Sequence, residues 1–334
     1  MERMLVLRLS SMGDVVLTTP LLRGLRNSCP KAEISFLTKR EYRDLLLYNP
    51  DLDSIFTIED DLLRLRGERF DLLLDLQANP RSLLLSLKLR VSMTIRYKKR
   101  HLRRWALTWF KWIPFHPLHT VDLYLRSVEP LGIRLSPLRP PKLYLKEEER
   151  KEARDFLHRE GFPGGELVGI NPGARWEKKC WPAERFAQVG KRLTEAREAG
   201  VILFGDYLDR PLVRRIAQIM GTKPIEAAGR TDLRLLIGLL EQCDLLITND
   251  SGPMHIATGV GTPVVAIFGP THPKLGFTPL GEEDIVLSTN QTCSPCSLHG
   301  ERRCRRSRRL CMEGITVEEV LRAALRILGD KDGS

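Results

Sequence analysis

An acidic residue follows the first apolar run of the chain, where a plain turn would not need one. Residues 7–14 read LRLSSMGD, and the apolar pattern resumes directly afterwards as VVLTTPLLRGLR. Asp14 can be a helix N-terminal cap, with Gly13 permitting the turn. It can equally be a general base aimed at a substrate hydroxyl. Taken alone, this loop favours the cap and leaves the base open.

A second loop places an acid, a serine and a glycine just ahead of a helix. In TNDSGPMHIATG, Asp250, Ser251 and Gly252 follow an apolar strand, and His255 lies on the helix that a proline opens. Amides at such a helix start form a candidate phosphate cradle, beside an acid able to bind sugar hydroxyls. The next strand ends in FGPTHP, which adds Thr271 to the same region. Either loop alone is more often a structural turn, and their combination indicates a site.

A third loop supplies positive charge. The stretch NPGARWEKKCWP follows another apolar strand and contains Arg175, Lys178 and Lys179. Cations at the end of a strand can neutralise a diphosphate, although a solvated basic loop has the same composition.

Together, the three loops suit the transfer of a sugar from a nucleotide-sugar. That reaction needs a base for the acceptor proton, and it needs positive charge with oriented amides for the departing diphosphate. The dinucleotide-binding pattern G-x-G-x-x-G is absent from the first loop, which argues against a nicotinamide-dependent dehydrogenase.

These loops require strands that end beside one another. Short apolar runs alternate with amphipathic stretches, a pattern typical of parallel sheets covered by helices on both faces. In such sheets, ligands bind beyond the carboxyl ends of the strands, where all three loops fall. The predicted strands are 4–9, 33–37, 54–58, 70–76, 93–97, 167–171, 201–204, 244–248, 264–268 and 285–287.

The stretches between the strands predict helices, and a proline complicates the first of them. Pro20 falls inside it, and we favour one kinked helix from Asp14 over a helix capped by Thr19. The predicted helices are 15–27, 40–48, 81–89, 147–160, 183–199, 210–220, 233–242, 254–258 and 316–328.

The length and the restart of this pattern predict two tandem α/β domains. A chain of 334 residues suits two cores, and the proline-rich LSPLRPPKLYL separates residues 1–145 from residues 146–334. Two such domains facing each other would enclose a substrate cleft. The last helix, 316–328, is free to pack back on the first domain.

The excess positive charge is concentrated in the first half. The chain carries 53 Lys and Arg residues against 42 Asp and Glu, a net charge of +11. Residues 1–150 hold 27 of the basic and 18 of the acidic residues, and no acid occurs between Asp75 and Asp122. A field of one sign attracts an anionic partner, such as a phosphorylated lipid, an acidic sugar or nucleic acid.

The sequence predicts neither a membrane span nor a secretion signal. No run of about 18 apolar residues occurs, and the start MERMLVLRLSSMGD lacks a signal-peptide pattern. We therefore expect a cytoplasmic protein whose seven cysteines are thiols.

The three loops, in this order, resemble the motifs of glycosyltransferase family 9, the bacterial lipopolysaccharide heptosyltransferases. The resemblance runs from Met4 to about Leu328 and rests on LRLSSMGDVVLTTPLLRGLR, FDLLLDLQANPRSLLLSL, NPGARWEKKCWP and TNDSGPMHIATGVGTPVVAIFGPTHP. It implies the GT-B fold, two Rossmann-like α/β domains whose parallel sheets face a central cleft. It also implies inverting transfer of L-glycero-D-manno-heptose from ADP-heptose to the inner core of lipopolysaccharide.

The same resemblance implies roles for single residues. Asp14 matches the catalytic base, Lys179 the lysine that contacts the donor phosphate, and Asp250 the acid that holds heptose hydroxyls. No cofactor is implied as required, Mg²⁺ is optional, and the match leans toward enzymes that add the second heptose. The other implied donor-binding residues are Gly13, Arg175, Ser251, Gly252, His255 and Thr271.

A basic stretch with interleaved tryptophans, RYKKRHLRRWALTWFKW, allows two interpretations. It is either a surface helix whose arginines extend over a packed aromatic face, or a docking face for a phosphorylated lipid acceptor at the inner membrane. The predicted acceptor and membrane residues are Arg64, Arg66, Lys98, Lys99, Arg100, Arg103, Arg104 and Trp105.

Four of the seven cysteines lie close together in the sequence. Cys293, Cys296, Cys304 and Cys311 fall within nineteen residues, and C-x2-C with two further thiols can hold Zn²⁺ or form disulfides. The spacing differs from that of a standard zinc finger, and the family resemblance gives the cluster no part in the chemistry.

Two alternatives stay open beside the transferase. One is another nucleotide-sugar transferase or an epimerase of the same fold. The other is a non-catalytic module that binds anions or nucleic acid through the basic stretch. The sequence has no aromatic RNA-binding signature, so we expect no nucleic-acid partner.

Overall fold

The described part of the chain forms two compact α/β units in a computed structural model. The boundary between the two units lies between Leu145 and Lys146. The residues that the structure describes are 2–98, 108, 118–135, 140–289, 291–301, 304 and 308–329.

The first unit is built on a five-stranded parallel sheet. Its strands are β1 (Arg3–Leu7), β2 (Glu33–Thr38), β3 (Ser54–Thr57), β4 (Arg69–Asp75) and β5 (Arg90–Arg96). They lie in the order β3-β2-β1-β4-β5. The five predicted strands of this half are confirmed, although β5 begins at Arg90 rather than at Met93.

The central strand β1 is apolar because helices cover both faces of the sheet. Met4, Leu5, Val6 and Leu7 are all fully buried, as expected for an inner strand of a parallel sheet. The covering helices are α1 (Met12–Val16), α2 (Thr19–Ser28), α3 (Arg40–Arg43), α4 (Leu62–Gly67), α5 (Pro80–Lys88) and α6 (Thr120–Leu125).

The prediction of one kinked helix around Pro20 is wrong. The segment forms two helices, and Pro20 lies in the first turn of α2, behind the N-cap Thr18. Proline fits there because the first amides of a helix have no intrahelical acceptor. The short α1 therefore ends at Val16, and Asp14 lies in a helix of its own next to β1.

The proline-rich stretch before the second unit is anchored to the first unit. The Lys142 amide donates to Thr19 Oγ1 over 3.0 Å, and Arg23 donates to the Pro140 carbonyl. Leu143 and Leu145 are buried. The described end of this stretch thus packs on α2 and does not form an extended linker.

The second unit contains a six-stranded parallel sheet. Its strands are β6 (Leu167–Asn171), β7 (Gly200–Leu203), β8 (Ile225–Glu226), β9 (Leu245–Asn249), β10 (Val264–Phe268) and β11 (Ile285–Ser288). They lie in the order β11-β10-β9-β6-β7-β8. The two-residue β8 was not predicted, because it is too short to show a periodic pattern.

Seven helices of the described residues belong to the second unit. They are α7 (Glu147–Arg159), α8 (Ala183–Arg197), α9 (Arg210–Met220), α10 (Leu233–Glu241), α11 (Gly252–Val260), α12 (Leu310–Glu313) and α13 (Val317–Ile327). Helices thus alternate with parallel strands in both units, which confirms the predicted fold class of two Rossmann-like α/β sheets.

The last helix, α13, packs into the core of the second unit. Val320, Leu321 and Ala324 form part of the apolar cluster around Trp181, and Trp181 Nε1 donates to the Ile315 carbonyl over 3.0 Å. This helix therefore supports the loop that precedes α8.

Across the ranges that the structure describes, every helix is too short or too polar to cross a lipid bilayer.

Candidate functional site

In the first unit, Asp14 lies in the first turn of α1, directly after the loop that follows β1. Its carboxylate accepts hydrogen bonds from the Ser11 amide over 3.2 Å and from Ser11 Oγ over 2.9 Å. The same oxygen, Oδ2, lies 2.8 Å from Arg8 Nη2, and the side chain retains 18% exposure. Ser11 is the N-cap of α1, and Asp14, three residues further on, accepts from the Ser11 amide in a capping box. The Asp14 carboxylate also stays partly exposed, and its role as a general base stays a prediction.

The buried Arg8 guanidinium fixes the orientation of Asp14. It donates to the Leu76 carbonyl at the end of β4 and lies over the Tyr124 ring at 5.9 Å from the centroid. Sequence reasoning missed this pair. The signal was an arginine at the end of an apolar strand, since a charge at such a position is almost always paired when buried.

The charge state of Asp14 follows from its neighbours. Burial alone would raise the pKa of its carboxyl, but the Arg8 charge and the two Ser11 bonds outweigh burial, so the pKa lies below its usual range. Asp14 is consequently a carboxylate at neutral pH, which a proton acceptor must be.

A second acid, Asp75, organises the loops around Asp14 without reaching solvent. Its side chain is fully buried and accepts from the Gln77 and Ala78 amides, from Ser82 Oγ and from Arg96 Nε. Gln77 in turn accepts from the amides of Leu9 and Ser10. Thus the DLQANPRS stretch holds the backbone that leads into Asp14.

In the second unit, three of the predicted residues meet around one carboxylate. Asp250 Oδ2 lies 2.7 Å from Lys179 Nζ and accepts from Thr271 Oγ1 over 2.6 Å. These residues follow β9, β6 and β10, which are neighbours in the sheet, so their carboxyl ends bring the loops together. The structure thus brings together the loops of Asp250 and Thr271, the two adjacent loops that the sequence predicts to converge, and the loop of Lys179 joins them.

The Lys179–Asp250 pair is a nearly buried ion pair. The Asp250 side chain is 13% exposed. Burial would raise the pKa of its carboxyl, but Lys179, the Thr271 hydroxyl and the charge of nearby His255 hold that pKa below its usual range. A lysine has three N–H donors, so Lys179 can keep this contact and still donate to a ligand.

Next to this pair, a network of hydroxyl and amide groups shapes the turn before α11. Ser251 Oγ lies 3.2 Å from Asn171 Nδ2 and 3.1 Å from Thr248 Oγ1. Ser251 is the N-cap of α11 but forms no side-chain cap, and Gly252 is the first helical residue. The helix N-terminus therefore keeps amide donors available beside Lys179 and Asp250.

Asn249 at the end of β9 holds the loop that follows β6 in place. Asn249 Oδ1 accepts from the Trp181 amide over 2.9 Å, and Asn249 Nδ2 donates to the Pro172 carbonyl over 2.7 Å. The loop that carries Lys179 is thus tied to the end of β9. Sequence reasoning missed this role, although both β6 and β9 end in asparagine, which is unusual for a fully buried strand end.

Residues 291–301, here called the 291–301 segment, pack on both loops around the ion pair. Ser294 Oγ donates to the Gly269 carbonyl, and the Cys296 amide donates to the Pro270 carbonyl. Gly300, at φ +94°, faces the Lys179 side chain: a Cβ at this position would lie 2.7 Å from Lys179 Cγ. The segment therefore confines the Lys179 side chain.

We expect Gly300→Ala to impair the site through Lys179. The added methyl group displaces the lysine stem, and a displacement of about 1 Å at a positioned group can cost about 100-fold in kcat/KM. The matched control is Gly164→Ala, because Gly164 has nearly the same φ, +96°, and nothing within 4 Å of its virtual Cβ. Equal loss of kcat/KM in both variants would show that backbone strain alone is responsible.

The predicted use of the four clustered cysteines, a zinc site or disulfides, stays a prediction. None of the four forms a disulfide in the structure. Within the described residues, no group of three or more His, Cys, Asp or Glu side chains is placed to hold a metal ion. Cys311 is buried, whereas Cys304 is exposed. Burial raises the pKa of Cys311 to about 11, and Cys296, Cys293 and Cys304 add to this effect.

The structure describes four further predicted arginine and lysine residues and Gly13. Gly13 is buried within α1, and Arg175 is exposed in the loop of Lys179. Arg64 lies over the Phe56 ring at 5.3 Å, while Arg66 and Lys98 are exposed. The predictions for Lys99, Arg100, Arg103, Arg104 and Trp105 lie outside the described residues.

A family model and a curated relative both relate this chain to heptosyltransferases. A family model described as glycosyltransferase family 9 (heptosyltransferase) matches residues 62–304. Lipopolysaccharide heptosyltransferase 3 of Escherichia coli is 30% identical over 278 residues, which cover 78% of this chain and 81% of the relative.

Solved structures match the whole fold. A glycosyltransferase family 9 protein from Veillonella parvula superimposes with a TM-score of 0.82 and 28% identity, covering 99% of this chain and 98% of its own. The ADP-heptose lipopolysaccharide heptosyltransferase II of E. coli gives a TM-score of 0.78 at 23% identity, covering 98% of each chain. The latter likeness supports the GT-B fold class predicted from the sequence.

Proposed function

The chain belongs to glycosyltransferase family 9, and from this membership we propose that it transfers a heptose from ADP-heptose to the inner core of lipopolysaccharide. The observation that carries the proposal is the Lys179–Asp250–Thr271 group beside the N-terminus of α11. It combines a cation, amide donors and an acceptor of hydroxyl groups. A sugar attached to a diphosphate needs all three.

On the donor side, we assign the diphosphate to Lys179 and the first amides of α11. Negative charge grows on the bridging phosphate oxygen as the bond to the sugar breaks. Fixed donors that already point at this oxygen stabilise the charge without reorganisation. Asp250 accepts hydroxyl groups of the heptose, while Lys179, Thr271 and His255 keep its carboxylate ionised. Gly13 and Arg175 are further donor contacts in this proposal.

On the acceptor side, Asp14 takes the proton of the attacking hydroxyl. The acceptor oxygen attacks the anomeric carbon from the face opposite the diphosphate, and ADP leaves in the same step. This single displacement inverts the anomeric configuration and needs no covalent enzyme intermediate. Arg8 and Ser11 hold the Asp14 carboxylate in its ionised form, which is the form that accepts the proton.

The acceptor carries phosphates and acidic sugars, which suits the basic first half of the chain. We assign acidic sugars of the acceptor to Arg64 and Arg66, and we place the enzyme at the cytoplasmic face of the inner membrane. Of the predicted membrane residues, Lys98 is described and exposed. Transfer to acceptors that carry no heptose or one heptose would identify which sugar is added.

Removing Arg8 should move the acid limb of the pH profile. Arg8 lowers the pKa of Asp14, so Arg8→Met leaves burial opposed only by the two Ser11 hydrogen bonds and raises that pKa. Asp14 then becomes protonated at a higher pH, and the acid limb of kcat/KM shifts upward. Arg8→Lys keeps the charge and should shift it less. A uniform loss of activity in Arg8→Met, with the acid limb unmoved, would contradict the pairing as a control of Asp14.

The alternative function is another nucleotide-sugar reaction on the same fold, either hexosyl transfer or epimerisation. A donor screen separates the possibilities. The purified protein is incubated with ADP-heptose or with UDP-sugars in the presence of the lipid acceptor, and released nucleotide and altered free donor are both measured. We expect ADP release from ADP-heptose. If the protein turns over UDP-sugars but not ADP-heptose, or epimerises the donor without an acceptor, the alternative function is correct and heptosyl transfer is not.

A further inference from the structure

Four leucines on two neighbouring helices of the first unit point into solvent. Leu63 on α4 is 80% exposed, and Leu84 and Leu87 on α5 are 60% and 75% exposed; Leu83 is exposed to a lesser degree. Single exposed leucines are ordinary on protein surfaces. A group of them on adjacent elements marks an interaction surface more often than a random surface does.

The two helices cover the same face of the sheet. Leu65 of α4 and Leu85 of α5 belong to one buried cluster, against which Leu62 also packs. The exposed leucines lie on the sides of the helices that face away from this cluster. Within α5, Leu84 and Leu87 are three residues apart, and such residues are neighbours on a helix surface.

On the two helices themselves, the charged side chains have one sign. Arg81 and Lys88 on α5 are exposed, as are Arg64 and Arg66 on α4. The sequence contains no acid from residue 76 to residue 121, so α5 and β5 add only positive charge. Glu68, which follows α4, is half-buried and pairs with Arg3 and, over 3.8 Å, with Arg64. Glu59 and Asp60, which precede α4, are exposed, and Asp60 pairs with Arg40. We call this mixed patch, built on Leu63, Leu84, Leu87 and the cations Arg81 and Lys88, the α4–α5 surface.

We propose that the α4–α5 surface docks on an anionic lipid bilayer. Leucines insert at the boundary of headgroups and acyl chains, while arginine and lysine bind the lipid phosphates, and neither contribution is strong alone. A second copy of the chain is a poor occupant, because two positive surfaces would face each other. The inference rests on the proposed function only in that a lipid-borne acceptor gives the enzyme a reason to bind there.

The test measures co-sedimentation of the full chain with vesicles of phosphatidylcholine, with and without phosphatidylglycerol. The variant is Leu84→Glu/Leu87→Glu, which alters exposed side chains only. The matched control is Leu208→Glu, because Leu208 in the second unit is 82% exposed. Thermal unfolding of all three proteins checks that the fold is kept.

We expect the wild type and the Leu208→Glu variant to bind the anionic vesicles equally, and to release them as salt is added. The double variant should show at least about a tenfold lower partition coefficient, since two inserted side chains become charged. Binding of the double variant at the wild-type level would overturn the proposal. So would wild-type binding that ignores phosphatidylglycerol, or a wild-type dimer that the double substitution dissociates.

The same proteins separate this inference from the proposed function. Heptosyl transfer to a delipidated, water-soluble core acceptor should be equal in the wild type and the Leu84→Glu/Leu87→Glu variant. Loss of transfer by the double variant in this assay would contradict a pure docking role. Vesicle binding that depends on Leu84 and Leu87, in a protein that transfers no heptose, would support the surface and refute only the transferase.

Discussion

Asp14→Asn should lower kcat by about 100- to 10,000-fold while leaving the affinity for ADP-heptose unchanged, because general-base catalysis contributes about that factor. Asparagine has nearly the same shape and can still accept from the Ser11 amide, so the start of α1 is preserved. It cannot take the proton of the acceptor hydroxyl. The measurement is steady-state transfer together with calorimetric binding of the donor.

A matched variant separates the catalytic role of Asp14 from its role as a helix cap. Ser11→Ala removes the hydroxyl that donates to Asp14 and keeps the carboxylate beside Arg8. We expect a small loss of stability and a small loss of kcat. If Ser11→Ala and Asp14→Asn reduce turnover equally, or if Asp14→Asn turns over normally, Asp14 is a structural cap and the assignment of the base is wrong.

Lys179→Met should lower kcat/KM for the donor by about 100- to 1,000-fold, the loss found when one preorganised donor to a developing charge is removed. The methionine keeps the length of the stem but donates no hydrogen bond to the diphosphate. It also leaves the Asp250 carboxylate nearly buried without its cation, and burial then raises the pKa of Asp250. The substitution therefore acts on both phosphate and sugar contacts.

Two further variants make this result interpretable. Lys178→Met removes the neighbouring lysine, whose Nζ lies 3.5 Å from the Glu301 carbonyl and away from Asp250, and it should be nearly silent. Lys179→Met/Asp250→Asn removes the uncompensated carboxylate and should recover stability without recovering transfer. Recovery of transfer in the double variant, or equal losses in Lys178→Met and Lys179→Met, would show that Lys179 serves stability or general charge only.

The sequence was sufficient for the parallel sheets and for the place of each loop. Strands such as β1 and β9 are continuous apolar runs because both of their faces are covered, and that pattern is legible without coordinates. Since the carboxyl ends of neighbouring parallel strands meet at one edge, the loops of Asp250 and Thr271 were expected to converge. The hydrogen bond between these two side chains agrees with that expectation, and the ion pair adds Lys179 from a third loop.

What the sequence could not supply is contact between residues far apart in it. Gly300 and Lys179 are separated by more than a hundred residues, and no local pattern relates a glycine to a lysine stem. The spacing of the four cysteines likewise does not show how their side chains are buried. Cys311 on α12 is buried, as is its neighbour Met312, whereas Cys304 is exposed.

The break at Pro20 shows a local ambiguity that tertiary contacts resolve. A kinked helix and a new helix both satisfy the proline. In the structure, the Lys142 amide binds Thr19 Oγ1, and Thr19 and Pro20 are buried at the start of α2. The separate helix that begins at Thr19 is thus held by a contact with a segment more than a hundred residues away in the chain.

The most direct test of the account is mass spectrometry of the lipid acceptor after incubation with ADP-heptose and the wild-type protein. Acceptors with no heptose and with one heptose are offered side by side. We expect one of them to gain a single heptose unit, with release of an equal amount of ADP. We also expect the Asp14→Asn protein to bind the donor but to leave both acceptors unchanged. Wild-type protein that binds ADP-heptose yet adds sugar to neither acceptor would contradict it.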